Sequence, residues 1–208
     1  MRNIAIPLYP RFTALDVVGP YTVLAFAPEC KVSFVAAERV PVSDDRGTLS
    51  LTANATYAEV SHPDVVLVPG GPGTIEALAD QQLIGWLQGV HQHTQWTTSV
   101  CSGSFLLAAA GLLPGVRATS HWGWRERLAD FGAVPVEERV VFDGRIVTAA
   151  GVSAGIDMAL ALLAELHDPT IAQAVQLAIE YDPQPPFGAG SPATAPAGMT
   201  DAALALIR

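Results

Sequence analysis

The chain has 208 residues, half of them hydrophobic and only 15% charged, with a net charge of −9. That length and apolar content predict one domain with a substantial core, and the acidic balance argues against nucleic acid as a partner, since phosphate binding needs a basic face. No run of about 18 apolar residues offers a membrane span, and the only two cysteines, Cys30 and Cys101, fit a reducing cytoplasm with no disulfide framework.

In chain order, strands and helices alternate. Met1-Arg2-Asn3 runs straight into an apolar strand, Asn3 to Leu8, too short and too strand-like for a signal peptide. Ala14 to Phe26 reads as a helix that Gly19-Pro20 should bend or restart. Val32 to Ala37 is a second strand, which Cys30 opens as a structural residue. Leu49 to Thr52 reads as part of an edge hairpin around Asp44-Asp45-Arg46-Gly47. Val65 to Val68 is an unbroken apolar strand ending in Pro69-Gly70-Gly71-Pro72-Gly73, and Thr74 to Ala79 and Gln82 to His93 read as helices. Trp96 to Val100 is β-rich, and Phe105 to Ala110 is helix-forming up to the stop at Gly111. Asp143-Gly144 joins Val140–Phe142 to Ile146–Thr148 as a hairpin. Ser153 to Leu166 is a long apolar helix, and Pro169 to Tyr181 another, with Asp168 as N-cap. The Pro-, Gly- and Ala-rich stretch from Asp182 to Gly198 leads to an apolar segment, Ala202 to Ile207, predicted to pack on the body or on a partner subunit. Continuous apolar strands between helices predict an α/β fold with a mostly parallel sheet covered on both faces.

In such folds ligands bind beyond the carboxyl ends of the strands. Cys101 falls there, at a strand-to-helix corner resembling the nucleophile elbow of serine hydrolases. Unpaired amides at the helix start favour an anion, which predicts a lowered thiol pKa. The other reading is a buried, inert cysteine. Gly70-Gly71 lets backbone approach a ligand, and an N–H there, with the Ser102 N–H, can face a developing anion; a plain turn is the alternative. No phosphate-loop lysine follows. His62, His91, His93 and His167 show no metal spacing, so no catalytic metal is predicted.

The segments VCSGSFLLAAAGLL, VLVPGGPG, ATSHW and ALDVVGPYTVL, with the tail YDPQPPFGAGSP, resemble the DJ-1/PfpI superfamily, and within it bacterial isonitrile hydratases. Ligand-binding domains of some AraC-type regulators share these segments. The resemblance implies a single flavodoxin-like, class I glutamine amidotransferase-like sandwich over residues 1–208, with residues 182–208 as a tail. It also implies a homodimer. It places Asp16 beside the cysteine, where like charge and desolvation raise a carboxyl pKa and make it a general acid; the alternative is decoration of a helix first turn. Proteases of the superfamily carry His after the cysteine, so Ser102 counts against peptidase chemistry. Similar hydratases carry Thr there; Ser102 keeps the hydroxyl and loses the methyl. His121 falls near the cysteine in related proteins, where it can orient substrate or shuttle a proton, although beside Trp122 and Trp124 a packed histidine is the favoured reading.

The implied reaction is hydration of an isonitrile to an N-substituted formamide. Cys101 attacks the terminal carbon, Asp16 supplies the proton, and water releases the thioimidate, with no organic cofactor or metal. Glyoxalase-like or other small-carbonyl chemistry is the enzymatic alternative. A ligand sensor or thiol redox sensor is the non-enzymatic one. A DNA-binding regulator would need a basic helix-turn-helix domain after residue 182, for which the chain is too short.

Overall fold

Unbroken apolar runs build the centre of the molecule. The computed structural model describes residues 1–207. Its strands are β1 (Arg2–Pro7), β2 (Cys30–Ala36), β3 (Pro41–Ser43), β4 (Ser50–Thr52), β5 (Ala55–Thr56), β6 (Val65–Val68), β7 (Trp96–Val100), β8 (Arg117–Ala118), β9 (Val134–Pro135), β10 (Val140–Asp143) and β11 (Ile146–Ala149). Seven of them form the main sheet in the order β10-β11-β7-β6-β1-β2-β5. Neighbours run parallel except at the β10–β11 hairpin, where Val141 faces Thr148. All four residues of β6 are buried, as expected of a strand covered on both faces.

The helices are α1 (Ala14–Phe26), α2 (Thr74–Ala77), α3 (Gln81–His91), α4 (Gly103–Ala109), α5 (Ala154–Leu166), α6 (Pro169–Ala178) and α7 (Met199–Leu206). α1, α5 and α6 pack on one another, and α4 packs on α2 and α3, which gives the two helical layers of the sandwich. Asp168 caps α6 as expected, accepting from the Thr170 and Ile171 amides, with Pro169 at the first position.

Two expectations change. α1 does not break at Gly19-Pro20 but runs unbroken from Ala14 to Phe26. The pair serves packing instead: a Cβ on Gly19 would lie 3.0 Å from Ile156 Cγ1, and one on Gly155 would lie 3.3 Å from Pro20 Cδ. Close contact between α1 and α5 therefore offsets the hydrogen bond that proline removes. The hairpin at Asp44–Gly47 is a separate two-stranded sheet, β3–β4, tied back to the loop after β1 by a Phe12–Asp44 bridge. β5, β8, β9 and the 3-10 turn Arg125–Phe131 are too short and irregular for hydrophobic periodicity to mark.

α7 contacts the body at two places. Arg46 Nη2 donates to the Leu206 carbonyl at 3.1 Å. Leu204 Cδ2 sits so near Gly123 that a Cβ there would come within 2.7 Å of it. Among the described residues no helix is long and apolar enough to cross a membrane.

Candidate active site

The local sequence forces the elbow. β7 ends at Val100, and Cys101 takes φ +58° before α4 begins. Left-handed backbone at a non-glycine residue costs about 1 kcal/mol or more and persists only where surroundings over-determine it. Here they do. The Cys101 amide donates to the Ala149 and Ala150 carbonyls at 3.1 and 3.0 Å. Its carbonyl accepts from Ser104 Oγ at 3.2 Å and from Ser120 Oγ at 2.9 Å.

The Pro69–Gly73 loop interlocks with this corner. A Cβ on Gly70 would lie 2.5 Å from the Ser102 nitrogen and 2.9 Å from Cys101 Cβ. A Cβ on Gly103 would lie 2.3 Å from the Val68 carbonyl oxygen. Gly70→Ala is therefore expected to lower stability by about 1–3 kcal/mol, through backbone displacement that no side-chain rotation can relieve. Thermal melting of that variant checks this, and an unchanged melting temperature would refute the interlock.

Asp16, in the first turn of α1, is fully buried. Its Oδ2 accepts from the Gly70 amide at 2.9 Å. Oδ1 has no hydrogen-bond partner among the described residues. Burial, with the charge of Asp45 as a lesser contributor, raises its pKa to about 8, so the carboxyl holds its proton at neutral pH. The raised value expected of Asp16 is thus reproduced, with desolvation as its main cause.

Cys101 differs from expectation. The sulfur residue is 6% exposed. Burial pushes its thiol up, the carboxylate of Asp16 pushes it further, and the Val152 and Ser102 amides pull it back only in part. The lowered pKa expected from the helix start is overturned because α4 has only seven residues and the sulfur is desolvated. Thiol and carboxyl form one coupled unit, each raised by burial. Two amides face the sulfur and one faces Asp16, so a thiolate formed at Cys101 finds donors already in place.

The remaining candidates are placed as follows. The Gly70 amide serves Asp16, and the Gly71 amide donates to Ser102 Oγ at 2.9 Å. Neither is free for a developing anion in this structure, because each already has a partner within the loop-and-elbow lock. Gly71 has φ +146°, and a Cβ there would lie 2.5 Å from the Arg11 carbonyl oxygen, so glycine is required at that position. The Ser102 amide faces the sulfur. His121 is buried, and its Nδ1 accepts from the Gly123 amide at 3.2 Å. Its ring lies 5.2 Å from both Trp122 and Trp124, and burial lowers its pKa, which leaves a neutral ring with the proton on Nε2. It also presses on Gly151, where a Cβ would meet its Cδ2 at 2.5 Å.

Sequence reasoning missed Val152, whose amide faces the sulfur at φ +32°, an unusual backbone for a β-branched residue. Nothing in the pattern Ala-Gly-Val-Ser signals it. It also missed Tyr9 and Thr74, which continue a hydroxyl chain from Ser102. Among the described residues no three His, Cys, Asp or Glu side chains are grouped to hold a metal ion.

The geometry has counterparts in known proteins. The chain is 44% identical to the isonitrile hydratase of Pseudomonas putida over 94% of its own length and 86% of that protein's. It superposes on the crystal structure of a ThiJ/PfpI family protein from Pseudomonas syringae with a TM-score of 0.95 at 43% identity, covering 99% of this chain and 86% of that one. A more distant likeness, 30% identity over 66% of this chain and 41% of the other, is to the HTH-type transcriptional regulator CdhR of Pseudomonas aeruginosa. With the DJ-1/PfpI family model matching residues 2–165, around an elbow cysteine and a buried acid, the chain belongs to the DJ-1/PfpI family.

Proposed function

We propose that this protein is an isonitrile hydratase, with Cys101 as nucleophile and Asp16 as general acid and base. The observation that carries the reading is the likeness to the Pseudomonas putida enzyme along nearly the whole chain. The sealed thiol–carboxyl pair supports it, because one group must form a bond to carbon while its neighbour moves protons.

The reactive form has one proton on the pair, carried by Asp16. The Cys101 thiolate forms an S–C bond to the terminal carbon of R–N≡C, and that carbon takes the Asp16 proton. The product is the thioimidate Cys101–S–CH=N–R, with Asp16 now ionised. Asp16 then takes a proton from water as the oxygen adds to the CH carbon, and passes it to nitrogen. Finally the new hydroxyl returns its proton to Asp16 as the C–S bond breaks. Formamide R–NH–CHO leaves, and the thiolate and acid are regenerated. The sum is R–N≡C plus H₂O, and no cofactor or metal is required. The Ser102 and Val152 amides hold the sulfur's charge at both ends of the cycle.

We further place residues 1–208 in one domain, acting in the cytoplasm as a homodimer. Ile75, 75% exposed beside Thr74, is one apolar side chain that a partner can cover. Incubation with cyclohexyl isonitrile should give N-cyclohexylformamide catalytically, with methylglyoxal run alongside. Turnover of methylglyoxal alone would favour the glyoxalase-like alternative. Stoichiometric modification of Cys101 with no product release would favour a sensor.

A further inference from the structure

A line of hydroxyls runs from the elbow into the core, and its proton order can be read from one end. Tyr9 OH lies 2.7 Å from the Pro69 carbonyl oxygen, which can only accept. The Tyr9 proton is therefore committed to Pro69. Burial holds the Tyr9 phenol well above its ordinary pKa, so it remains a donor throughout the working range. Tyr9 OH also contacts Thr74 Oγ1 at 3.0 Å, and with its own proton spent it must accept there. Thr74 Oγ1 contacts Ser102 Oγ at 2.9 Å. Because the Thr74 proton points to Tyr9, the proton between Thr74 and Ser102 must be that of Ser102. The order is Ser102 to Thr74 to Tyr9 to Pro69.

Ser102 Oγ meanwhile accepts the Gly71 amide at 2.9 Å. The other acceptor open to its proton, the Gly71 carbonyl at 3.3 Å, lies in the same loop. Yet Ser102 Oγ shares its space with the Cys101 side chain: a Cβ on Gly70 would lie 2.6 Å from Ser102 Oγ and 2.9 Å from Cys101 Cβ. A hydroxyl beside a thiolate would ordinarily turn its proton toward the charge.

We propose that Tyr9 and Thr74 are positioning residues of the reaction, which hold the Ser102 hydroxyl proton away from the Cys101 sulfur and leave Ser102 Oγ facing the site as an acceptor. Two consequences follow for the hydration proposed above, on which this role rests. The thiolate keeps one donor fewer and stays more nucleophilic. The spare lone pair of Ser102 Oγ can accept a proton of the attacking water and orient its oxygen toward the thioimidate carbon. The substrate thus meets an acceptor at Ser102, and donors at the backbone amides and Asp16.

The test reads the thiol directly and needs no turnover. The pH midpoint of Cys101 alkylation by iodoacetamide is followed on the Cys101 peptide by mass spectrometry, which separates it from Cys30. In Tyr9→Phe, the Thr74 hydroxyl loses its acceptor and turns to Ser102, so the Ser102 proton turns to sulfur. The midpoint should fall by about one pH unit. Thr74→Val, nearly isosteric, should lower it likewise, and Thr74→Ser should restore the wild-type value. Adding Ser102→Ala to Tyr9→Phe should abolish the fall. A midpoint that is unchanged or raised in both folded single variants would overturn the proposal. So would a fall that persists without the Ser102 hydroxyl. Loss of isonitrile turnover in an otherwise responsive series would count against the hydratase reading and leave the proton order standing.

Discussion

Cys101→Ala is expected to lose turnover by at least about a thousand-fold while the protein still folds, because no other nucleophile reaches the carbon that the sulfur attacks. Cys101→Ser should fare no better. A serine hydroxyl needs a base to ionise it, and the neighbouring carboxyl already holds its proton at neutral pH, with a pKa of about 8. The fold should survive because the elbow is held by backbone bonds to Ala149, Ala150, Ser104 and Ser120 that do not involve the sulfur. Position 101 carries a second signature. Its φ of +58° suits glycine, so Cys101→Gly should melt above Cys101→Ala by the equivalent of about 1 kcal/mol. Formamide formation and thermal melting on the three variants check both statements. Wild-type rates in Cys101→Ala would end the covalent mechanism.

Asp16→Asn should stop turnover by about a hundred-fold or more, since an amide cannot give and recover a proton. The same change should stabilise the protein. The carboxyl's pKa rises from 3.8 to about 8 on folding, so between these values the folded state binds more protons than the unfolded one. Stability therefore falls as pH rises through that window, by roughly 4 kcal/mol at neutral pH for the wild type. An uncharged Asn escapes this, less what its own amide loses in a site where Oδ1 has no partner, for a net gain of about 1–3 kcal/mol. The gain should vanish as pH falls below 3.8, where the carboxyl is protonated in the folded and the unfolded state alike. Wild-type activity should decline as pH rises through about 8, when Asp16 gives up the proton the first step needs. Denaturant unfolding of both proteins at pH 5 and pH 8 measures the difference. Equal stabilities at pH 8, or an active Asp16→Asn protein, would remove Asp16 from the acid's role.

The redox alternative is also weighed by this geometry. A thiol pushed up by burial and by a neighbouring carboxylate is slower to oxidise than an exposed, lowered one.

What the chain alone determined is local. Val65–Val68 and Trp96–Val100 could be read as buried strands residue for residue, because apolar and β-branched runs bounded by glycine and proline carry their own signal. The corner at Cys101 followed from a strand meeting a helix-forming run, the hairpin at Gly144 from its turn pair, and the start of α6 from Asp168-Pro169. Asp16 was placed by the chain only in the helix after the first strand, and its role beside the cysteine came from family resemblance. What only the tertiary structure decided lies between segments far apart in sequence. The Gly70 amide meets Asp16 across 54 residues, and Ser102 meets the Gly71 amide across 31, so amides that looked free for an anion are already used. Val152 turns its amide to the sulfur in a conformation its residue type does not favour. The thiol's direction of shift depends on how much water and how many donors the packed neighbours leave, and the Ser102 proton depends on a carbonyl at Pro69 that Tyr9 happens to reach. Periodicity and capping are properties of neighbours along the chain; desolvation and the order of protons in a hydrogen-bonded line are properties of neighbours in space.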